Sequence, residues 1–251
     1  MPLSPLDLTA LLVFAVAWLA YEPLLKAAAR GRGAINTDLT LIRLTWMKNM
    51  AGRENKFMDG QLLGHVLNSA SFFASSNLIL IAAAAGVLFG GESTFRSASS
   101  LVVIKTSTRL LFEFQIALVL VALARGLLDF IWAIRQMNYC LAAIGATPMW
   151  ASPSTLAEYA EATGGILNPA LSAFNAGVRG YYFALAGAAW LLGPYAFIAA
   201  TLGALALLLW RQRRSRASSA VRKVRQILER QSVVHGPHMR HAEKDPPVDT
   251  I

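Results

Sequence analysis

KTSTRLLFEFQIALVLVALARGLLDFIWAIRQMNY, residues 105–139, decides the fold class. Its middle is apolar enough to cross a bilayer, and it is longer than the roughly 20 residues a membrane helix needs. The surplus predicts ends that project beyond the hydrocarbon, where Lys105, Arg109 and Arg135 reach the interface along their aliphatic stems. Arg125 and Asp129 lie further in, with Glu113 toward the start of the same run. A charge inside the hydrocarbon is costly unless paired or hydrated. Arg125 and Asp129 are four residues apart, within pairing reach on one helical face. That spacing fits a self-neutralised structural pair and, equally, part of an ion or proton path.

The rest of the chain agrees with a membrane protein. Of 251 residues, 55% are hydrophobic and 15% charged, against about 25% charged in soluble domains. The net charge of +9 is clustered, chiefly in residues 26–56 and 211–230. Basic flanks of apolar spans bind anionic lipid head groups. No nucleic-acid module accompanies them, so nucleic acid is not an expected partner. The single cysteine, Cys140, excludes an intrachain disulfide. Three of the four histidines (His235, His238, His241) crowd the tail, and His65 stands alone. There is no phosphate loop, no H-E-x-x-H and no nucleophile elbow. The expectation is a protein that is not an enzyme, with no metal and no cofactor.

Periodicity and punctuation give an all-α, polytopic membrane bundle of four spans, about 8–25, 62–89, 108–135 and 180–210. The first run has no preceding Lys or Arg and no small-x-small cleavage site, so it reads as a retained span rather than a signal peptide. Asn36 or Thr37 is positioned to cap a helix over about 38–58, whose apolar residues alternate with Arg43, Lys48, Arg53 and Lys56. That pattern fits an interfacial amphipathic helix or a helix packed on the bundle. The second span begins polar: His65, Asn68, Phe72 and Ser75 or Ser76 share a face, and helix packing explains such residues better than pore lining. Gly145, Pro148, Pro153, Gly164, Gly165 and Pro169 predict short broken pieces, one of them capped by Ser154. Gly193-Pro194 predicts a kink within the fourth span. Tyr181 and Tyr182 at one interface and Trp210 at the other are its expected aromatic anchors. Residues 1–215 then form the membrane domain. Residues 216–251 form a basic cytoplasmic tail with a short amphipathic helix, disordered after His235.

Orientation is in conflict. Four spans put both termini on one side. The charge step across the first span, with Lys26, Arg30 and Arg32 following it, places that side outside; the run RQRRSR after the last span places it inside. The denser basic run favours both termini in the cytoplasm, unless an apolar segment is split or re-entrant.

Four stretches carry a family resemblance. They are Arg43, Trp46, Met47, Met50, Arg53 and Asn55 with Asp59; Ser69, Phe72, Phe73, Ala74 and Ser75; Arg135, Gln136, Asn138 and Tyr139 with Ile144, Gly145, Ala146 and Pro148; and Asn175, Gly177, Arg179, Tyr181, Tyr182, Phe183, Ala184 and Leu185. On these the chain resembles a bacterial and plant membrane protein family catalogued as domain of unknown function 599, which implies a membrane bundle and no particular activity. Independently of the family, the alternation of spans brings polar segments to one membrane surface. Arg43, Arg53, Asp59, Arg135, Asn138, Asn175 and Arg179 form the expected surface cluster, and Arg125, Asp129, Glu113, His65 and Asn68 the expected intramembrane polar site.

The function these expectations favour is a small-ion channel or transporter of the plasma membrane (the bacterial inner membrane). It would be a homo-oligomer, since four spans are few for a monomeric carrier. The alternative is a non-catalytic scaffold, assembly or lipid-binding module, with the bilayer and anionic head groups as partners.

Overall fold

The computed structural model describes residues 3–29, 35–106 and 108–235, and among them every regular element is helical. They are α1 (Pro5–Ala29), α2 (Ile35–Ala51), α3 (Phe57–Phe89), α4 (Gly91–Ser99), α5 (Arg109–Gly145), α6 (Pro153–Ala188), α7 (Pro194–Arg214) and α8 (Arg216–His235). Four stretches are long and apolar enough to cross a membrane: Pro5–Leu24, Phe57–Phe89, Arg109–Gly145 and Pro194–Gln231, the last running from α7 into α8.

The expected fourth span is two helices. Residues 180–188 end α6, a 3-10 turn covers Ala189–Leu192, and Pro194 begins α7. Gly193 adopts φ +109°, which an L side chain rarely takes, and Pro194 is suited to a helix start because its missing N–H has no partner there anyway. Gly193 and Pro194 therefore make a reversal, not a kink. The backbone N–H of Lys105 donates to the Leu191 carbonyl at 3.0 Å, pinning the turn to the chain entering α5.

Gly145, Pro148 and Pro153 do mark a break, between α5 and α6, but Gly164, Gly165 and Pro169 do not: residues 153–188 are one 36-residue helix, α6. Ser152, rather than Ser154, caps it, accepting from the Thr155 N–H at 3.2 Å. Gly164 lies within the helix because α2 presses on it: a Cβ there would stand 3.1 Å from Leu44 Cδ1. Pro169 sits on an exposed face.

Partners along α5 and α6 run in opposite order: Tyr159 bonds Ala143, Phe174 meets Phe130, Gly180 abuts Gly126, and Trp190 receives Gln115. The same test makes α3 antiparallel to α5 (Phe73 to Phe130, Asn77 to Leu123) and α1 antiparallel to α6 (Asp7 to Trp190, Phe14 to Phe183, Glu22 to Arg179). It also makes α7 antiparallel to α6 (Phe197 to Trp190, Arg211 to Tyr182). The chain therefore passes between the two ends of the bundle five times, by α1, α3, α5, α6 and α7. The helix the hydropathy omits is α6, which contacts α5 more than any other pair of elements touch. Five passages put Ser4 and Arg214 at opposite ends, so the expectation of both termini on one side is corrected.

Two cores are stacked along the axis. Near the N-terminal end, Phe14, Tyr21, Phe183, Trp190 and Phe197 join α1, α6 and α7. Near the tail end, Met47, Met50, Leu63, Met137, Cys140 and Leu167 join α2, α3, α5 and α6. Thus α2 is packed on the bundle, ending at Ala51 rather than 58. It pairs antiparallel with α6, Lys48 to Glu161 at 3.1 Å and Arg43 to Asn168 at 3.5 Å. The tail helix α8 docks on α2, where buried Asp38 accepts from Arg225 Nη1 at 2.7 Å. Expected disorder after His235, and His238 and His241, lie outside the described residues.

Candidate functional site

The two cores meet where α5 crosses α6. Gly126, Gly177 and Gly180 make this approach close: a Cβ on Gly180 would lie 3.1 Å from Gly126 Cα, and one on Gly126 3.3 Å from the Gly177 carbonyl oxygen. The crossing carries Arg125 and Asp129 to the flank of Arg179. Here α1 is also reaching the end of its apolar run, which sets Glu22 beside them. The result is a cavity of about 280 Å³ between α1, α5 and α6, lined among others by Trp18, Tyr21, Glu22, Arg125, Asp129 and Arg179.

Its charges form two pairs. Arg125 Nη2 lies 3.1 Å from Asp129 Oδ1, and Arg179 Nη2 lies 2.8 Å from Glu22 Oε1. The Arg179 guanidinium also stands 5.0 Å from the centroid of the Tyr21 ring, a cation–π distance. Each pair has one sheltered and one exposed member: the side chains of Arg179 and Asp129 are 15% and 17% exposed, those of Glu22 and Arg125 63% and 62%. Asp129 is within electrostatic reach of Arg179 and Glu22, so the four groups form one network.

This ring lies at the tail end of the apolar length of α1. Arg211 of α7 donates to the Tyr182 hydroxyl one turn from Arg179. Tyr181, Tyr182 and Trp210 therefore gather at one level, correcting their expected division between two interfaces. Basic residues beside Tyr and Trp mark head-group depth. Arg125 and Asp129 are level with this end of α1, although they lie near the middle of the α5 stretch that is long and apolar enough to cross a membrane.

The other expected intramembrane residues are elsewhere. Glu113 accepts from Arg109 Nε at 2.8 Å near the N-terminal end, at least 12 residues along α5 from Arg125, roughly 18 Å at the helical rise. His65 and Asn68 are exposed on α3 in its tail-end half. The expected surface residues do share the tail end, but not one cluster. Buried Asp59 accepts from Trp46 Nε1 at 2.7 Å and from Arg53. That network lies beside Met50 and Thr147, past the end of α5 and about 30 Å from Arg179 at the helical rise. Arg43 is buried against Asn168, and burial lowers its pKa from the ordinary value. Arg135 donates to the Tyr139 hydroxyl at 3.3 Å, Asn138 is exposed, and Asn175 is half-buried on α6 one turn before Arg179.

Glu22 escaped the sequence reading. The available signal was an acid at the end of the first apolar run, level with the arginine that opens the last one. Asp38 and Asp7, both buried, were also passed over.

A family model described as "Protein of unknown function, DUF599" matches residues 9–217, and the chain belongs to that family. No curated protein and no solved structure matches the chain.

Proposed function

We propose that this member of the DUF599 family is a non-catalytic membrane module that holds a phospholipid head group in the cleft between α1, α5 and α6. The carrying observation is the cleft's position. Two arginines and two carboxylates stand at the end of the apolar length of α1, beside Trp18 and Tyr21. Arginine presents a planar fork that matches phosphate oxygens, and the aromatic neighbours suit the level where acyl chains meet head groups.

Five passages also favour one orientation. They put Lys26, Arg43, Lys48, Arg53 and Lys56 on the same side as RQRRSR, so the positive-inside rule is met with the N-terminus outside. The cleft then faces the cytoplasmic leaflet of a plasma membrane, and the basic tail end attracts anionic lipid around it.

The test is native mass spectrometry of protein ejected from lipid nanodiscs. Wild type is expected to retain phospholipid, and Arg179→Gln to retain at least about tenfold less, the factor one charge-assisted hydrogen bond supplies. Equal retention by a monodisperse variant sinks the reading.

The second reading is an oligomeric small-ion channel or transporter, a homo-oligomer. What favours it is the exposed polar face of α3, with His65, Asn68 and Ser75 available to a second copy. Ion flux in proteoliposomes, lost in Asn68→Leu, would put it first; no flux above empty liposomes removes it.

A further inference from the structure

We infer that the cleft selects a zwitterionic head group, a phosphate joined to a primary ammonium, over an anionic one; this rests on the head-group reading above. The cleft brings two cations and two anions, so it is neutral as built. An anionic head group would gain the arginines but also meet Glu22 and Asp129, and like charges brought together select against a ligand. A zwitterion offers each pair its opposite.

The exposure pattern supplies the exchange. Glu22 and Arg125 are the exposed members of different pairs and carry opposite signs. Both have water or head-group space into which to turn. When they do, sheltered Arg179 and sheltered Asp129 are left needing an anion and a cation. Phosphate takes the first and ammonium the second. Glu22 and Arg125 then close over the ligand from outside, so each charge keeps a partner throughout.

The aromatic geometry separates a primary from a quaternary ammonium. A quaternary group needs open aromatic faces. Arg179 already covers the Tyr21 ring at 5.0 Å, and Trp18 is stacked on Phe183 at 5.5 Å. What remains is carboxylate oxygen, which rewards N–H donors, and a quaternary ammonium has none.

The experiment uses the full-length protein in nanodiscs of equal phosphatidylethanolamine, phosphatidylcholine and phosphatidylglycerol, with native mass spectrometry of the lipid that remains bound. Phosphatidylethanolamine is expected to exceed each of the others about tenfold in the retained lipid, the factor of one charge-assisted hydrogen bond. Asp129→Asn, nearly isosteric, should cut that preference toward unity while lipid is still bound. Retained lipid that mirrors the bulk, or is enriched in phosphatidylglycerol or phosphatidylcholine, overturns this inference and leaves the lipid-binding reading standing. Retention of no lipid by wild type overturns both. An unchanged preference in Asp129→Asn also overturns it, because the ammonium would then sit elsewhere.

Discussion

Each end of the bundle sets an aspartate in the first turn of a helix and buries it against a tryptophan indole, yet the two carboxylates are satisfied differently. At the N-terminal end, Asp7 of α1 accepts from Trp190 Nε1 at 2.8 Å and from the Ser4 N–H and hydroxyl at 3.0 and 2.7 Å. Ser4 Oγ in turn accepts from the Asp7 N–H at 3.1 Å, a reciprocal cap using only neutral donors. At the tail end, Asp59 of α3 accepts from Trp46 Nε1 at 2.7 Å and from the Arg53 guanidinium, whose side chain is 46% exposed. Both anions gain from the positive end of a helix dipole. The difference lies in the surroundings. A half-exposed cation serves the tail-end carboxylate, and hydroxyl, amide and indole donors serve the N-terminal one.

The largest test bears on the seam common to both halves. Gly180→Leu drives a side chain into the Gly126 Cα and the Ala122 carbonyl, which are backbone and cannot turn aside. Overpacking typically costs 1–3 kcal/mol, and with no side chain to yield we expect about 3 kcal/mol or more. The readout is a fall in thermal midpoint in detergent with loss of a monodisperse peak. A midpoint within experimental scatter would mean the helices cross elsewhere.

The two aspartates come next. Asp59→Ala removes the acceptor of a buried indole N–H, but it releases Arg53 to solvent, so the cost is that of the orphaned donor, about 1–3 kcal/mol. Arg53→Ala leaves a carboxylate that is 0% exposed without its cation; breaking a fully buried pair costs about 3–5 kcal/mol, and with Arg53 half-exposed the cost falls to about 3 kcal/mol. Removing the cation should therefore lower the thermal midpoint more than removing the acid. At the other end, Asp7→Ala orphans Trp190 and breaks the cap with Ser4, about 2 kcal/mol together, with no cation set free. If Asp59→Ala proved worse than Arg53→Ala, the contrast between the ends would fail.

Much of the fold was legible because lipid-facing helices must be apolar, and four runs were. α6 was not, for a physical reason. Protein surrounds it on the flanks of α1, α2, α5 and α7, so its Gly164, Gly177, Gly180 and Asn175 answer to close packing rather than to hydrocarbon. Gly164, which reads as a breaker, is what lets α2 approach, and Gly177 and Gly180 do the same for α5. The surroundings of Arg125 and Asp129 were illegible for a related reason. Judged from α5 alone, they lie well inside an apolar run; only the packing of α1 brings Glu22, near the end of its own apolar stretch, beside them. The pairing of Arg53 with Asp59 needed only the hairpin between α2 and α3, whereas Arg179 with Glu22 joins residues 157 apart and required the fold.

The smaller effects lie at the surface of each half. Arg225→Ala deprives buried Asp38 of its nearest cation, but Arg222 Nε stays within 4.0 Å and both arginines are about a third exposed, so about 1 kcal/mol is expected. The sensitive readout is trypsin cleavage at the α7–α8 junction near Ser215, which should speed up while the membrane half stays intact. An unchanged cleavage rate would mean that apolar packing, and not Asp38, holds α8. At the opposite end, Arg109→Ala removes an exposed pair with Glu113 whose partners are 50% and 33% exposed. Such an i,i+4 pair contributes about 0.3–0.5 kcal/mol and is screened by salt. The thermal midpoint should barely move, and what shift there is should vanish in molar salt. A shift as large as that of Asp7→Ala would erase the contrast between the two ends, since it would make an exposed ion pair essential at the very end where the buried carboxylate is held by neutral donors.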